Sequence, residues 1–225
     1  MSRFSHIGSV ALAAALTGCA VQAPAPAQPT LSPAGQAMFN GRDFSGWELV
    51  TVPATPLAAS FQMLPDGVIA STGKPIGYLA SAGTYANFRM HVEWRWAATP
   101  GNGGVLLHIT GGPKDRAWPL SLQVQTKAGS AGDLLPMAGA TFAEPLTSAP
   151  GASVPLKAHL APSSEKPAGE WNSCDIVSRA GTLEVTINGV LQNRISGANP
   201  GAGRVGFQLE GTPYELRNVT LAPLP

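Results

Sequence analysis

Phe88–Trp96, FRMHVEWRW, is the stretch that decides the fold. Phenylalanine, methionine, valine and two tryptophans occupy alternate positions, and arginine, histidine and glutamate fill the positions between them. A period of two puts successive side chains on opposite faces of a strand, whereas a helix requires a period of about 3.6. The stretch therefore predicts a β-strand with one face in a core and one polar face.

Several other segments repeat this alternation and carry turn signals beside them. They are Val105–Ile109, Ser121–Gln125, Leu183–Ile187 and Val205–Glu210. Asn188-Gly189 directly follows one of them, and both residues tolerate the positive φ of a type I′ hairpin turn, so Val190–Ile195 is the predicted partner strand. Since no helical stripe runs beyond two turns, the pattern predicts an all-β sandwich of two antiparallel sheets.

Composition supports one turn-rich globular domain. The chain has 225 residues, with 26 Gly, 21 Pro, 44% hydrophobic and only 12% charged residues. This length suits a single sandwich, which we place at residues 37–223. Fourteen Lys and Arg against thirteen Asp and Glu give a net charge of +1 without a basic run, which argues against a nucleic-acid partner.

The first residues have the layout of a secretory signal. Arg3 precedes the apolar run Val10–Leu16, which is shorter than the roughly 20 residues that span a bilayer. Leu16-Thr17-Gly18-Cys19 resembles the lipobox of bacterial lipoproteins, in which the cysteine becomes the lipidated first residue. Residues 1–19 are therefore expected to be a lipoprotein signal peptide. An ordinary secretory signal that happens to contain Cys19 is the alternative.

The segment after the signal is predicted to be a spacer. Residues 20–36 are rich in Pro and Ala, which favours a semi-extended tether. Ala20 rather than Asp follows the lipobox cysteine, so we expect a periplasmic domain that is lipid-anchored to the outer membrane. If Cys19 carries lipid, Cys174 has no partner and no disulfide framework exists.

One long segment lacks periodicity. Gly129–Gly169 is rich in proline and is expected to form long loops. Loops of this length in a compact domain are often lids or binding walls, although an idle insertion explains the pattern equally well.

Polar residues on the strands are the candidate site residues, although each one alone is better explained by a solvated surface. They are Glu93, Arg95, His108, Gln123, Gln125, Gln208 and Glu210. Among them, His108 lies in an otherwise apolar strand, and an imidazole serves as acid or base near neutral pH. Trp118 and Trp171 flank loops, where they either stack on sugar rings or pack the sandwich edge.

A set of motifs in a fixed order gives a more specific prediction. They are Phe39–Trp47 (FNGRDFSGW), Glu93-Trp94-Arg95, Gly101–Val105 (GNGGV), Trp118–Gln125 (WPLSLQVQ), Gly132-Asp133, Glu165–Asn172 (EKPAGEWN), Gly206–Gly211 (GFQLEG) and Leu216–Val219 (LRNV). Together these motifs resemble the 3-keto-disaccharide hydrolase family, also described as 3-keto-glucoside lyases and hydratases. The resemblance implies a concanavalin-like jelly-roll fold.

The resemblance also implies a reaction. The expected substrate is a small 3-keto sugar made by a separate sugar 3-oxidoreductase, and the expected step is cleavage of its glycosidic bond. A ketone at C3 acidifies the C2 proton, so a base can remove it, the C1 substituent is eliminated and water then adds back. Such a site needs a base, a donor or cation for the C3 oxygen, and an acid for the leaving group.

Placement on the polar faces, together with the family motifs, gives each candidate an expected role. His108 is expected to be the base or acid, Glu210 the partner acid or base, and Glu93 with Arg95 the ion-paired positioning or enolate-stabilising groups. The expected substrate-binding residues are Asn102, Gln123, Gln125, Gln208, Trp118 and Trp171.

The chain departs from the family pattern at two places. It has Asn102-Gly103-Gly104 where the family usually has Asn-Ser-Gly, and Gln123 where the family usually has Glu. Glutamine cannot take a proton, so any acid or base role of that Glu is lost here. We expect no cofactor, and a divalent ion is an alternative that no ligand spacing supports.

Two other functions remain open at this point. One is a non-catalytic carbohydrate-binding lipoprotein on the same fold, which Gln123 favours. The other is an envelope structural protein without a ligand, in which the polar faces are mere surface.

Overall fold

The structure is a computed structural model that describes Met1 and residues 35–225. The predicted signal peptide, with Cys19, and almost all of the predicted spacer lie outside the described residues. Within the described residues, no helix is long and apolar enough to cross a membrane.

Fourteen strands and one short 3₁₀ helix, Leu57–Ala59, make up the regular structure of this part of the chain. The strands are β1 (Gln36–Ala37), β2 (Trp47–Thr51), β3 (Phe61–Met63), β4 (Ile69–Ser71), β5 (Gly77–Ser81), β6 (Phe88–Arg95), β7 (Gly104–Ile109), β8 (Ser121–Gln125), β9 (Leu134–Met137), β10 (Asn172–Arg179), β11 (Thr182–Ile187), β12 (Val190–Ile195), β13 (Arg204–Leu209) and β14 (Tyr214–Pro223).

These strands form two antiparallel sheets. The larger sheet has eight strands in the order β12-β11-β10-β6-β14-β4-β3, with β1 added beside β14. The smaller sheet has six strands in the order β2-β5-β13-β7-β8-β9. The prediction of an all-β jelly-roll sandwich is confirmed.

The core lies between the two sheets and follows the alternation of the sequence. Along β6 every second residue is buried, and Phe88, Trp94 and the following Trp96 are among the largest buried side chains. Phe207 from β13 enters the same core from the six-stranded sheet. Burying each such side chain contributes about 1.5–3 kcal/mol, which explains why this stretch determines the fold.

The predicted hairpin is confirmed. β11 and β12 pair antiparallel on either side of Asn188 and Gly189, which have φ values of 49° and 80°. Both residues therefore adopt the left-handed conformation that the type I′ turn requires.

Candidate functional site

A row of amide side chains lies on the outer face of the six-stranded sheet. Val124 of β8 and Phe207 of β13 point into the core. Because side chains alternate along a strand, Gln123, Gln125 and Gln208 point away from the core. The sequence prediction that these three residues lie on the polar faces of their strands is confirmed.

Strand register brings these amides together. Leu106 of β7 is paired with Gln123, and Gly104 is paired with Gln125. Gly206 is paired with Leu106 on the other side of β7, so Gln208, two residues later, lies across from Gly104. The three glutamines therefore surround one glycine on adjacent strands.

Gly104 is required by this arrangement. A Cβ atom at Gly104 would lie only 2.7 Å from Cγ of Gln123 and 2.8 Å from its amide nitrogen. The missing side chain leaves room for the Gln123 amide, whose nitrogen donates to the Gln125 oxygen at 2.9 Å. The glycine thus allows a polar amide pair to lie flat on the sheet.

The backbone pairing of β7 with β8 continues past the ends of these two strands. The amides of Thr126 and Ala128 donate to the carbonyl oxygens of Gly103 and Gly101. This pairing puts Asn102 beside Lys127, and Glu210 comes two residues after Gln208 on the same face. A second polar row therefore lies next to the glutamines.

These residues form the floor of an open cleft of about 440 Å³. Loops from the hairpin around Trp118 and from the long segment after β9 supply its walls. The lining residues are Asn102, Asp115, Arg116, Trp118, Gln123, Gln125, Lys127, Leu135, Pro136, Met137, Ala138, Gly139, Ala152, Ser153, Val154, Pro155, Gln208 and Glu210. Part of the Gly129–Gly169 segment, predicted to be a lid, a wall or an idle insertion, is therefore a wall of this cleft.

Unpaired acceptors line the floor. Gln123 and Gln208 are only 1% and 2% exposed, yet their amide oxygens have no hydrogen-bond partner within the described part of the chain. The side-chain oxygen of Asn102 is also buried and has no hydrogen-bond partner in this part of the chain. Buried amide oxygens are normally paired, so these three are suited to accept hydrogen bonds from a ligand that carries hydroxyl groups.

Glu210 is the half-buried carboxylate of the cleft. Burial raises the pKa of its carboxyl above the usual value, and the positive charges of Arg116 and Lys127 partly oppose this effect. A carboxylate with a raised pKa is a better proton acceptor and, once protonated, a donor near neutral pH. Glu210 is thus suited to acid and base chemistry in this cleft.

His108 does not lie in the cleft, and its predicted placement on a polar strand face is wrong. The pairing of β7 with β13 shifts register between Arg204 and Gly206, and His108 adopts a φ of 55°. This irregularity turns the imidazole inward, where the side chain is 0% exposed and packs edge-on against Phe88. A Cβ at the facing Gly203 would lie 2.4 Å from the His108 carbonyl carbon, so the close approach needs glycine.

The polar atoms of His108 are satisfied inside the protein. Nδ1 lies 2.9 Å from the carbonyl oxygen of Pro200, which can only accept, and Nε2 lies 3.1 Å from the hydroxyl of Ser178. Burial lowers the pKa of the imidazole. His108 therefore joins the two sheets through buried hydrogen bonds, without access to a substrate in the cleft.

Glu93, Arg95 and Trp171 lie on the opposite side of the molecule. Because Val92 and Trp94 face the core, Glu93 and Arg95 face outward from the eight-stranded sheet. Arg95 pairs with Glu215 at 2.5 Å and its guanidinium lies 4.6 Å from the centre of the Trp171 ring. The structure therefore does not bring these three residues together with Glu210.

The remaining predicted residues do meet. Asn102, Trp118, Gln123, Gln125, Gln208 and Glu210 all line the cleft. Sequence reasoning missed Lys127 although it continues the alternation of Gln123 and Gln125, and that pattern was a usable signal. It also missed Asp115 and Arg116, which lie in a turn without periodicity.

The carboxylates of the cleft do not form an evident metal site. Glu210 and Asp115 are its acidic residues. Across residues 35–225, no group of three or more His, Cys, Asp or Glu side chains is placed to hold a metal ion. The other oxygen donors of the floor beside Glu210 are the neutral amides of Gln123, Gln125 and Gln208.

Solved structures share the fold at low sequence identity. A candidate glycosyl hydrolase from Parabacteroides distasonis has 21% identity, a TM-score of 0.61, and coverage of 86% of this chain and 95% of its own. A second from that organism has 16% identity, a TM-score of 0.55, and coverage of 79% and 99%. The carbohydrate-binding module CBM66 from Bacillus subtilis has 10% identity, a TM-score of 0.54, and coverage of 80% and 96%.

No curated protein matches the chain. The family model of the 3-keto-alpha-glucoside-1,2-lyase-like domain, a carbohydrate-active domain, matches residues 35–222. This match covers nearly every strand of the sandwich and confirms the resemblance carried by the sequence motifs. The chain belongs to the 3-keto-alpha-glucoside-1,2-lyase-like domain family.

Proposed function

We propose that this protein cleaves the glycosidic bond of 3-keto-glycosides by elimination followed by hydration. The observation that carries the proposal is the cleft on the six-stranded sheet, where Glu210 with its raised carboxyl pKa stands beside buried, unpaired amide oxygens. Family membership supplies the class of substrate.

Glu210 is the proposed base. Its carboxylate removes the C2 proton, the electron pair moves to form an enolate with the C3 oxygen, and the enolate then expels the C1 substituent as the C1–O bond breaks. The product is an unsaturated ketone with a double bond between C1 and C2. The general-base role passes to Glu210 because His108 is enclosed between the sheets.

The cations beside Glu210 are the proposed enolate-stabilising groups. Arg116 and Lys127 both act on the charge of Glu210, so both also act on an enolate formed next to it. A positive group aimed at developing negative charge lowers the barrier of this type of step. Arg116 and Lys127 thus have the enolate-stabilising role that the sequence analysis expected of Arg95.

Protonated Glu210 completes the cycle. It gives its proton to the departing oxygen, then takes a proton from the water whose hydroxyl adds to C1, and passes that proton to C2. The sum of the two steps is hydrolysis, which yields 3-ketoglucose and the free alcohol or sugar. Meanwhile the Gln123, Gln208 and Asn102 oxygens accept hydrogen bonds from the ring hydroxyls.

The same proposal includes location and pathway. We propose a periplasmic protein anchored to the outer membrane through lipidated Cys19, acting after a sugar 3-oxidoreductase. Metabolic labelling with a palmitate analogue tests this part, since Cys19→Ala is expected to abolish the label.

The central test is incubation of the purified protein with 3-keto-trehalose and a 3-keto-β-glucoside, following release of 3-ketoglucose. Parallel reactions with EDTA report whether a divalent ion is needed. Solvent deuterium in the C2 position of the product is expected, because the C2 proton exchanges in the elimination and hydration steps. Cleavage without deuterium at C2 contradicts the elimination mechanism.

A non-catalytic carbohydrate-binding protein is the second candidate. Gln123, a neutral amide where the family usually has Glu, favours it. In that case the folded protein binds 3-keto sugars, seen as a raised melting temperature, without releasing 3-ketoglucose.

A further inference from the structure

The cleft has two chemically different sides. One side is the polar floor around Glu210, and the other is aliphatic, formed by Leu135, Pro136 and Met137 of β9 together with Val154 and Pro155 of the following loop. The Val154 side chain is 51% exposed, so the wall presents apolar surface to the cleft. An exposed apolar group beside a polar site indicates what the bound molecule must cover.

The aliphatic wall is fixed in place. Lys157 and Leu134 exchange backbone hydrogen bonds of 2.8 and 2.9 Å, which tie the end of the loop to β9. The Lys157 ammonium donates to Asn193 at 2.7 Å, and the Thr147 amide donates to the Leu156 carbonyl at 2.9 Å. The loop that carries Val154 is therefore held on both sides as a preformed wall.

The two sides are separated by a useful distance. Glu210 follows β13, and the wall begins at β9, with β7 and β8 between them. Neighbouring strands are about 4.8 Å apart, so three intervals span about 14 Å. A pyranose ring over the polar floor leaves space for one further group against the wall.

The side chains of the wall indicate whether a second sugar or an apolar group of the substrate lies against it. Sugar rings are usually held by the flat faces of aromatic side chains, as the C–H groups of a pyranose pack on a ring. Trp118, the aromatic residue of this cleft, is only 7% exposed. Met137, Val154 and Pro155, which are more exposed than Leu135 at 4%, offer an uneven aliphatic surface that suits a flexible apolar group.

We propose that the C1 substituent of the substrate is an apolar aglycone that packs on Val154 and β9, rather than a second sugar. The inference rests on the proposed function, since it names the leaving group of that same reaction. The aglycone departs as an alcohol that carries the proton returned by Glu210. The aliphatic wall contributes affinity for this group through burial of its carbon atoms.

The test compares the methyl and hexyl 3-keto-β-glucosides. Both leaving groups are unactivated alcohols of similar acidity, so a difference in kcat/KM reports the contact with the alkyl chain. We expect the hexyl compound to be cleaved with at least about tenfold higher kcat/KM, since even one well-placed methylene contributes about that much. Val154→Ser is expected to reduce the hexyl-to-methyl ratio by about threefold.

Val52→Ser is the matched control, because Val52 is 60% exposed and lies outside the cleft lining. It is expected to keep the ratio of the original protein. A hexyl-to-methyl ratio near one, or a ratio that Val52→Ser lowers as much as Val154→Ser, overturns the proposal.

Binding separates this inference from the proposed function. Calorimetric titration of Glu210→Gln with the same two compounds measures the contact without turnover. If neither compound is cleaved by the original protein but the hexyl compound still binds more tightly, the proposed reaction fails and the aglycone site stands. If both compounds are cleaved and bound equally, the reaction stands and the aglycone site fails.

Discussion

The two outer faces of this sandwich carry polar residues in similar alternation but use them differently. On the eight-stranded sheet, Glu93 accepts from Arg217 at 2.6 Å and from Asn218 at 2.8 Å, and Arg95 pairs with Glu215. On the six-stranded sheet, Gln123 and Gln208 bury amide oxygens that have no partner among the described residues. Glu93 and Arg95 on one face already have partners, and the other face leaves acceptors for a ligand.

This difference shows which polar residues are suited to function. A charged side chain that already has its partners gains little from a substrate, whereas a buried unpaired acceptor gains a full hydrogen bond. Both groups occupy the same kind of position in the sequence, on the polar side of an alternating strand. The state of the hydrogen bonds, which only the folded chain reveals, separates them.

The largest expected effect comes from Glu210→Gln. The amide keeps the shape of the side chain but cannot accept the C2 proton, so kcat is expected to fall by about 10³-fold. Since burial raises the pKa of Glu210, its ionised form is unfavourable in the folded protein at neutral pH. The variant should therefore unfold at the same or a higher urea concentration, while 3-ketoglucose release is lost.

Glu93→Gln is the matched control on the opposite face. Here the carboxylate is held by Arg217 and Asn218, and hydrogen bonding to these groups lowers its pKa despite the opposing effect of burial. We expect a small loss of stability and an unchanged kcat. Equal losses of kcat in the two variants would contradict the assignment of the cleft as the active site.

His108→Ala is expected to give the largest loss of stability. The substitution removes a fully buried ring and leaves the Pro200 carbonyl without the donor that His108 supplies. We expect about 3 kcal/mol less free energy of unfolding in urea titrations. Turnover per folded molecule at low temperature is expected to persist, and its loss in a folded variant would place His108 in the reaction.

Gly104→Ala tests the glycine that makes room for the amides. The new methyl group displaces the flexible Gln123 side chain, so we expect about tenfold lower kcat/KM with stability changed by less than about 1 kcal/mol. In a Gln123→Ala background the same substitution is expected to have little further effect, because no amide remains to be displaced. Steady-state kinetics of the four proteins completes this cycle.

Two histidines are expected to respond to pH in opposite directions. Burial lowers the pKa of His108. Between this lowered pKa and the unfolded value of about 6.5, the unfolded chain binds more protons than the folded protein, so the free energy of unfolding falls as pH falls.

The hydrogen bond to Asp175 raises the pKa of His91. The stabilisation from His91 is therefore complete below about pH 6.5, and it is lost as pH rises through the pKa of the folded state.

Urea titrations between pH 5.5 and 8 measure both effects. His91→Gln is expected to make stability fall more steeply toward acid pH, and His108→Gln is expected to make the fall shallower. Because each histidine binds one proton, each substitution changes the slope of the unfolding free energy against pH by at most about 1.4 kcal/mol per pH unit. Identical slopes in both variants would contradict the two environments.

Most of the fold was predictable from local pattern. The alternation in Phe88–Trp96 and the Asn188-Gly189 turn each follow from a period of two or from positive φ, which are properties of neighbouring residues. His108 broke the same rule because a register shift against β13 reverses the direction of its side chain. A bulge depends on the partner strand, so alternation along one strand does not reveal it.

The site was predictable only in part, for a related reason. Gln123, Gln125, Gln208 and Glu210 were named from their strand faces. The fold gathers them because β8 and β13 flank β7 in one sheet. Glu93 and Arg95 had the same sequence signal but belong to the other sheet. Sheet membership is decided by contacts between residues far apart in the chain, and these contacts leave no local trace.

The smallest expected effect comes from Trp171→Ala on the outer face of the eight-stranded sheet. The ring lies 4.2 Å from the Arg217 guanidinium and 4.6 Å from that of Arg95, and both arginines are partly exposed. Exposed cation–π contacts contribute about 0.5–1 kcal/mol each, so we expect a loss of about 1 kcal/mol in urea titrations. Cleavage and sugar affinity are expected to stay unchanged, because Trp171 faces away from the cleft. A weaker affinity for 3-keto sugars in this variant would return Trp171 to the binding site and remove the distinction between the two faces.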